Sequence, residues 1–286
     1  MIYTYNAPAK INIGLDVLGR RDDGYHDLKM IMQTIDLEDI LTFTIKEGGR
    51  EITMTCTDSS LSVDDTNLVM RAARHMADEF GIKSSIEIHL EKNIPIAAGM
   101  AGGSTDAATT FIAMNDIFGL GLSKAELMER AVNLGADIPY CILRGTALSE
   151  GIGDILTPLP EYKDVTILIV KPPINVSTAF VYGNLKIDSQ TNHPDIDNIM
   201  NYMAQMNHSA VGSLLGNVLE DVTVKEYPVI DDIKGCMIKN GSLGALMSGS
   251  GPTVFGIFEN DETAGKALEK CLLLVPGSFA KVVHTI

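Results

Sequence analysis

The sequence predicts an α+β chain in two domains, residues 1–155 and 156–286. Three observations lead there. Apolar residues alternate at Ile11, Ile13, Leu15 and Val17, the period of a half-buried strand. A glycine-rich stretch around Gly99–Ser104 stands between a strand pattern and a helix pattern. A stretch rich in Pro and Gly, over residues 150–164, interrupts the periodic segments. Strands and helices mix without a regular βαβ repeat, which points away from a doubly wound parallel sheet.

The elements follow in order. A strand starts at Ile2 and continues through AKINIGLDVLG. GRRDDGY reads as an exposed turn, and Leu28 to Ile35 as a further strand. Ile40–Ile45 and Glu51–Cys56 read as the arms of a hairpin turning at Glu47-Gly48-Gly49. Asp65 or Thr66 is the expected cap of a helix bearing Leu68, Ala72, Met76 and Phe80, with Gly81 as its stop. Ile86, Ile88 and Leu90 alternate with Glu87, His89 and Glu91, a strand that ends before Pro95. Helix composition runs from about Thr105 to Phe118. Ser123 with Glu126 forms a capping-box pattern for the next helix, which Gly135 is expected to end. Past the break, Val165–Val170 is a buried-type strand, and KPPINVSTA leads into a helix. Residues 186–209 are polar and suit a loop with a short helix. VGSLLGNVLE reads as helix, GALMSGSGPTVFGIF as two strands around a glycine turn, DETAGKALEKCL as helix and SFAKVVHTI as the last strand.

Composition narrows the function. The 286 residues carry 22 Lys and Arg against 37 Asp and Glu, a formal charge of −15. That balance argues against a nonspecific nucleic-acid binder and against an anionic membrane surface as partner. A small phosphorylated ligand is still compatible, because backbone N–H groups and one or two lysines can hold it. Cys56, Cys141, Cys236 and Cys271 are scattered without a CxxC pair, as expected for free thiols in a reducing compartment. The first ten residues lack an apolar signal core and no 18-residue apolar run occurs, so a cytoplasmic protein is expected.

Two glycine loops and two charges carry the chemistry. In the first loop small residues permit close approach of backbone to ligand, and a following helix N-terminus offers free N–H groups to phosphate. Ser104 and Thr105 add hydroxyls suited to phosphate or metal. The loop is neither a Walker A motif nor a dinucleotide fingerprint. By pattern alone it reads equally as a phosphate cradle or as a tight turn that serves helix packing. The second loop, Ser248-Gly249-Ser250-Gly251-Pro252-Thr253, reads first as a turn between strands. Lys10 and Asp137 each interrupt apolar runs, so each needs a partner or a task. The two readings are a structural ion pair and a pair around a substrate hydroxyl.

The order of APAKINIGLDVLGRRDDGYHDL, PIAAGMAGGSTDAA, LGADIPYCILRGTA and the late GSGP turn resembles the GHMP kinase superfamily over essentially the whole chain. Pro8-Ala9-Lys10-Ile11-Asn12 with Gly24-Tyr25-His26 resembles the branch acting on a cytidine diphosphate-linked methylerythritol. The resemblance implies an N-terminal domain like the second domain of ribosomal protein S5 and a ferredoxin-like C-terminal domain. It implies ATP as phosphoryl donor and Mg²⁺ as its companion. Lys10 and Asp137 match the catalytic residues, and Asn12, Tyr25, His26 and Tyr182 the substrate contacts. Pro95, Ile96, Ala97, Ala98, Gly99, Met100, Ala101, Gly102, Gly103, Ser104 and Thr105 match the ATP loop. Gly249, Ser250 and Gly251 match a supporting glycine motif. Ser104 is the candidate metal contact, and Asp106 is not assigned. Gly99-Met100-Ala101 stands where many superfamily members read Gly-Leu-Gly, so a negative φ is expected at Ala101. A small-molecule substrate, no nucleic-acid or membrane partner, and a monomer or homodimer complete the expectation. The rivals are a GHMP kinase for another alcohol, which would leave Tyr25 and His26 without purpose, a catalytically silent homologue, and a nucleic-acid role, which the charge opposes.

Overall fold

The computed structural model describes residues Met1–Ile286. The chain opens with two long strands, β1 (Ile2–Arg20) and β2 (His26–Cys56). Gly24, at φ 89°, turns between them. Then come α1 (Leu68–Glu79), β3 (Ser84–Glu91), α2 (Gly102–Ile117), α3 (Lys124–Ala131) and α4 (Ile138–Leu143). β4 (Thr146–Gly151), β5 (Ile155–Pro158), β6 (Thr166–Lys171), α5 (Thr178–Asn184), α6 (Ile196–Ala204) and α7 (His208–Leu214) follow. The chain closes with β7 (Gly216–Asn217), α8 (Glu220–Glu226), α9 (Val229–Lys239), β8 (Gly244–Met247), β9 (Val254–Phe258), α10 (Asp261–Leu274) and β10 (Phe279–His284). Strands and helices mix as the sequence predicts.

Two compact units interleave along the chain. One comprises Met1–Ala9, Leu37–Ile96 and Ala101–Arg144, the other Lys10–Asp36, Ala97–Met100 and Gly145–Ile286. β1, β2 and the first glycine loop therefore each pass from one unit to the other.

In the first unit, Ile86, Ile88 and Leu90 of β3 face Ile45, Phe43 and Leu41 of β2, and all six are buried. α1 packs on α2, and α2 on α4. The expected hairpin is corrected. Ile86 pairs with both Ile45 and Ile52, so β3 lies between the two arms. The second arm climbs in step with β3, from Ile52 opposite Ile86 to Cys56 opposite Leu90. Gly48 and Gly49, at φ 77° and 81°, still turn the chain. The cap of α1 is Asn67, whose side chain accepts from the Val69 N–H. Asp65 is engaged instead by Arg74 at 2.5 Å. The capping box at Ser123 and Glu126 is present, but α3 ends at Ala131, short of Gly135. α4 was not anticipated: a six-residue helix offers too little periodicity to read.

In the second unit an antiparallel sheet runs in the order β10-β6-β9-β8. Ile167 to Val170 are fully buried, each such side chain worth about 1.5–3 kcal/mol of burial. α9 and α10 pack against this sheet. The predicted break at 150–164 instead holds strand: β4 pairs with both β2 and β5, with its glycines at the turn. VGSLLGNVLE is helical only to Leu214; Gly216 and Asn217 then pair with Gly14 and Leu15. The polar segment 186–209 includes α6 and is pinned at two points. His193 Nδ1 lies 2.7 Å from Asp16 Oδ1, and Lys29 Nζ lies 2.8 Å from Asp197 Oδ1.

Candidate active site

Lys10 and Asn12 sit two residues apart on β1 and so share a face. Both are buried, and Lys10 Nζ donates to Asn12 Oδ1 at 2.7 Å. The Asn12 N–H donates to Ser248 Oγ at 3.3 Å, and that hydroxyl donates to the Gly99 carbonyl at 2.9 Å. The Lys10 N–H donates to the Met100 carbonyl at 3.2 Å. One thread thus joins the strand to both glycine loops.

The loops touch so closely that only glycine fits at Gly99. A Cβ there would lie 2.3 Å from the Ser248 carbonyl oxygen, and φ is 73°. Gly249 and Gly251 also have positive φ. Behind them the Asn217 side-chain amide donates to the carbonyls of Met247 and Gly249, each at 2.8 Å. Ser250 Oγ lies 2.9 Å from Thr178 Oγ1. The GSGP segment is therefore a turn between β8 and β9, as read, and also a brace for the first loop.

The first loop ends on α2, which begins at Gly102, earlier than the expected Thr105. Gly102, Gly103 and Ser104 form its first turn, where N–H groups have no carbonyl one turn back. Ala101 supplies no side-chain cap, so the helix start stays open for an anion. The expectation of negative φ at Ala101 is corrected: φ is 56° there and 51° at Ala97. Left-handed alanine costs about 1–2 kcal/mol per residue, so the loop stores strain in two places. The Thr105 hydroxyl is also corrected, since it is buried and donates to the Pro8 carbonyl at 2.8 Å. Ser104 is left as the hydroxyl of that turn. Pro95 and Ile96 lead into the loop partly exposed, while Ala98 and Met100 are buried.

Asp137 is half-buried and directly precedes α4, and its side chain makes no capping bond to that helix. Nearby in sequence to the loop lies a cluster that motif reading missed. Lys92 Nζ bonds Asp39 Oδ2 and, at 2.7 Å, Asp106 Oδ2. All three side chains are at most 4% exposed. Asp106 Oδ1 is buried with no partner. Burial holds the Asp106 carboxyl well above the usual range against the pull of Lys92. The available signal was Lys92 itself, a charge just ahead of the glycine loop.

His26 opens β2 with its ring 5.3 Å from that of Tyr182, tilted 40°. Burial, then the neighbouring Arg20, pushes the His26 imidazole below its usual value, favouring the neutral ring. Tyr25 is 60% exposed, its N–H held by Asp23 Oδ1 at 3.0 Å. His26 and Tyr182 are thus brought together, while the Tyr25 ring faces solvent.

No three His, Cys, Asp or Glu side chains are grouped to hold a metal ion. The residues fit ATP better than they fit a metal cage. An open helix start and small residues suit phosphate, and a Mg²⁺ ion commonly takes its ligands from phosphates and water.

Comparison with known proteins agrees with this geometry. Residues 67–145 match the GHMP kinases N terminal domain, and residues 189–272 the GHMP kinases C terminal domain. The chain is similar to the 4-diphosphocytidyl-2-C-methyl-D-erythritol kinase of Lachnoclostridium phytofermentans, 49% identical over 93% of this chain and 91% of the relative. The kinase of the same name from Lachnospira eligens is 50% identical over 90% of this chain and 89% of its own. A crystal structure of 4-(cytidine 5'-diphospho)-2C-methyl-D-erythritol kinase superposes with TM-score 0.82 at 29% identity, covering 98% of this chain and 99% of that one. With nine-tenths of its length aligned at about half identity, the chain belongs to the 4-diphosphocytidyl-2-C-methyl-D-erythritol kinase family of GHMP kinases.

Proposed function

We propose that the chain transfers the γ-phosphoryl group of ATP to the 2-hydroxyl of 4-diphosphocytidyl-2-C-methyl-D-erythritol. The products are the 2-phosphate and ADP, in the non-mevalonate route to isoprenoid precursors. The observation that carries this reading is the thread Lys10–Asn12–Ser248–Gly99, which links the strand of family residues to the phosphate loop.

In this reading Asp137 orients the 2-hydroxyl and accepts its proton. Lys10 offers an ammonium to the developing alkoxide, and Asn12 holds both Lys10 and the substrate's polar end. The first turn of α2, with Gly99 and Ser104, receives the triphosphate through backbone N–H groups. Mg²⁺ supplies neutralisation of phosphate charge when bound with ATP, and the Ser104 hydroxyl is the side-chain oxygen suited to it. His26 and Tyr182 form the seat for cytosine, with the neutral imidazole on a base edge. Tyr25, exposed beside them, closes on the base as a stacking ring. No helix is long and apolar enough to cross a membrane. The enzyme acts in the cytoplasm on small molecules, as a monomer or homodimer.

The direct test mixes purified protein with ATP, Mg²⁺ and the cytidyl substrate and reads product by mass. One added phosphoryl group, only when all three are present, is the expected result. A folded protein that binds ATP and leaves this substrate unchanged would refute the assignment. Asp137→Asn is expected to lower kcat by at least about 10²-fold with ATP binding nearly intact. Turnover within about threefold of the parent would remove Asp137 from the reaction.

A further inference from the structure

The buried cluster of Lys92, Asp39 and Asp106 has no part in the roles assigned above. Stability is a poor reason for it, because taking three charged side chains out of water costs as much as their attraction returns. Its connections are more telling. Asp39 Oδ1 accepts the N–H groups of Asn93 and Ile94, at 2.6 and 2.8 Å, where the chain leaves β3 for the glycine loop. Asp106 stands in the opening turns of α2, where that loop ends. Lys92 bonds both carboxylates and so joins the two ends. Gly102 completes the closure: a Cβ there would lie 3.0 Å from Lys92 Nζ and 3.2 Å from Ile94 Cγ2.

Between these ends the loop holds two alanines at left-handed φ. Such strain persists only where the surroundings over-determine the backbone. Ser248 and Lys10 hold the loop's middle, and the cluster is the feature that holds its two ends together.

We propose that Lys92, held between Asp39 and Asp106, is a positioning residue for phosphoryl transfer, locking the loop's start to its end and so fixing the open turn of α2 that receives the nucleotide. The proposal rests on the ATP reading above. Asp39→Asn is the sharpest cut. Its remaining oxygen keeps the two backbone bonds, and its amide no longer accepts from Lys92. KM for ATP is expected to rise by about tenfold or more, with KM for the cytidyl alcohol within about twofold, because the released loop end disorders the helix start that holds the nucleotide, and a misplacement of about 1 Å can cost as much as about 10²-fold. Amide exchange of residues 97–104 should quicken in parallel. Tyr162→Phe, which deletes a buried hydroxyl 3.0 Å from His208 Nδ1 far along the chain, serves as the comparison for stability loss alone. It should leave both KM values and the loop's exchange unchanged. If Asp39→Asn does not fold, Lys92→Arg decides. It keeps the charge balance but is too long for the space beside Gly102, and it should raise KM for ATP severalfold. A folded variant of either kind with unchanged KM for ATP and unchanged loop exchange overturns the clamp. A wild-type protein that turns over no substrate with ATP overturns the functional reading instead.

Discussion

Gly99→Ala tests the contact between the two glycine loops. The added methyl would lie 2.3 Å from the Ser248 carbonyl oxygen, 3.1 Å from that of Gly251 and 3.3 Å from the Gly251 nitrogen. Carbon and oxygen normally approach no nearer than about 3.2–3.5 Å, so one backbone must retreat by about 1 Å. The φ of 73° adds about 1–2 kcal/mol for a residue with a Cβ. The retreat breaks the bond from Ser248 Oγ to the Gly99 carbonyl, another ~1 kcal/mol. The sum is about 2–3 kcal/mol before any repacking, a fall in melting temperature of about 3–5 °C for a chain of this length. Gly119→Ala separates the two causes, because Gly119 has φ 60° and nothing within 4 Å of its would-be Cβ. It should lose only the backbone cost of about 1–2 kcal/mol. Thermal unfolding of both variants, with KM for ATP, is the assay. Equal losses in the two variants, or an unchanged KM in Gly99→Ala, would refute the argument that the loops brace each other.

Two further outcomes are expected. His26→Ala should raise KM for the cytidyl substrate at least about tenfold while KM for ATP stays within about twofold, because a lost base-edge contact is felt only by that substrate. Equal effects on both substrates would remove His26 from the base seat. His284 lies between Asp261 and Asp36, at 2.9 and 3.2 Å, and its hydrogen bond to Asp261, with that to Asp36, raises its pKa in the folded state against a smaller effect of burial. A raised folded pKa gives stability that is fully present below about pH 6.5 and is lost as pH rises through the folded value. The melting-temperature advantage of wild type over His284→Gln should therefore be largest near pH 6 and shrink above pH 7. An advantage that grows with pH would show that the ring stabilises in its neutral form.

Where periodicity was strong, the sequence was readable. β3, β6 and the capping box of α3 stand close to where the alternation and the Ser-x-x-Glu spacing put them. Partners were not readable. Glu47-Gly48-Gly49 announces a turn, but nothing local says that β3 will slip between the two arms it separates. The glycines of residues 150–164 read as a break because a turn and a break share one composition, whereas β4 and β5 pair across them. The candidate site divides in the same way. Lys10, Asn12 and the loops were legible as motif. Ala101 was misjudged because a strained φ is set by the surroundings and not by the residue. Asp39, Lys92 and Asp106 were invisible as a group, since they come from β2, the segment just past β3 and α2, and meet only after folding.

β7 is two residues long, and it covers the edge of β1 that faces away from β2. Gly14 pairs with Gly216 and Leu15 with Asn217, which ties that strand to the segment bearing Asn217. A shift by one residue would turn Lys10 and Asn12 to the opposite face. Both glycines fit closely: a Cβ at Gly14 would lie 2.8 Å from Ile196 Cδ1, and one at Gly216 the same distance from Pro194 Cβ. Asn217 then carries the alignment onward, since its amide holds the carbonyls on either side of Ser248. An asparagine outside every recognised motif thus joins the strand that carries the lysine to the second glycine loop.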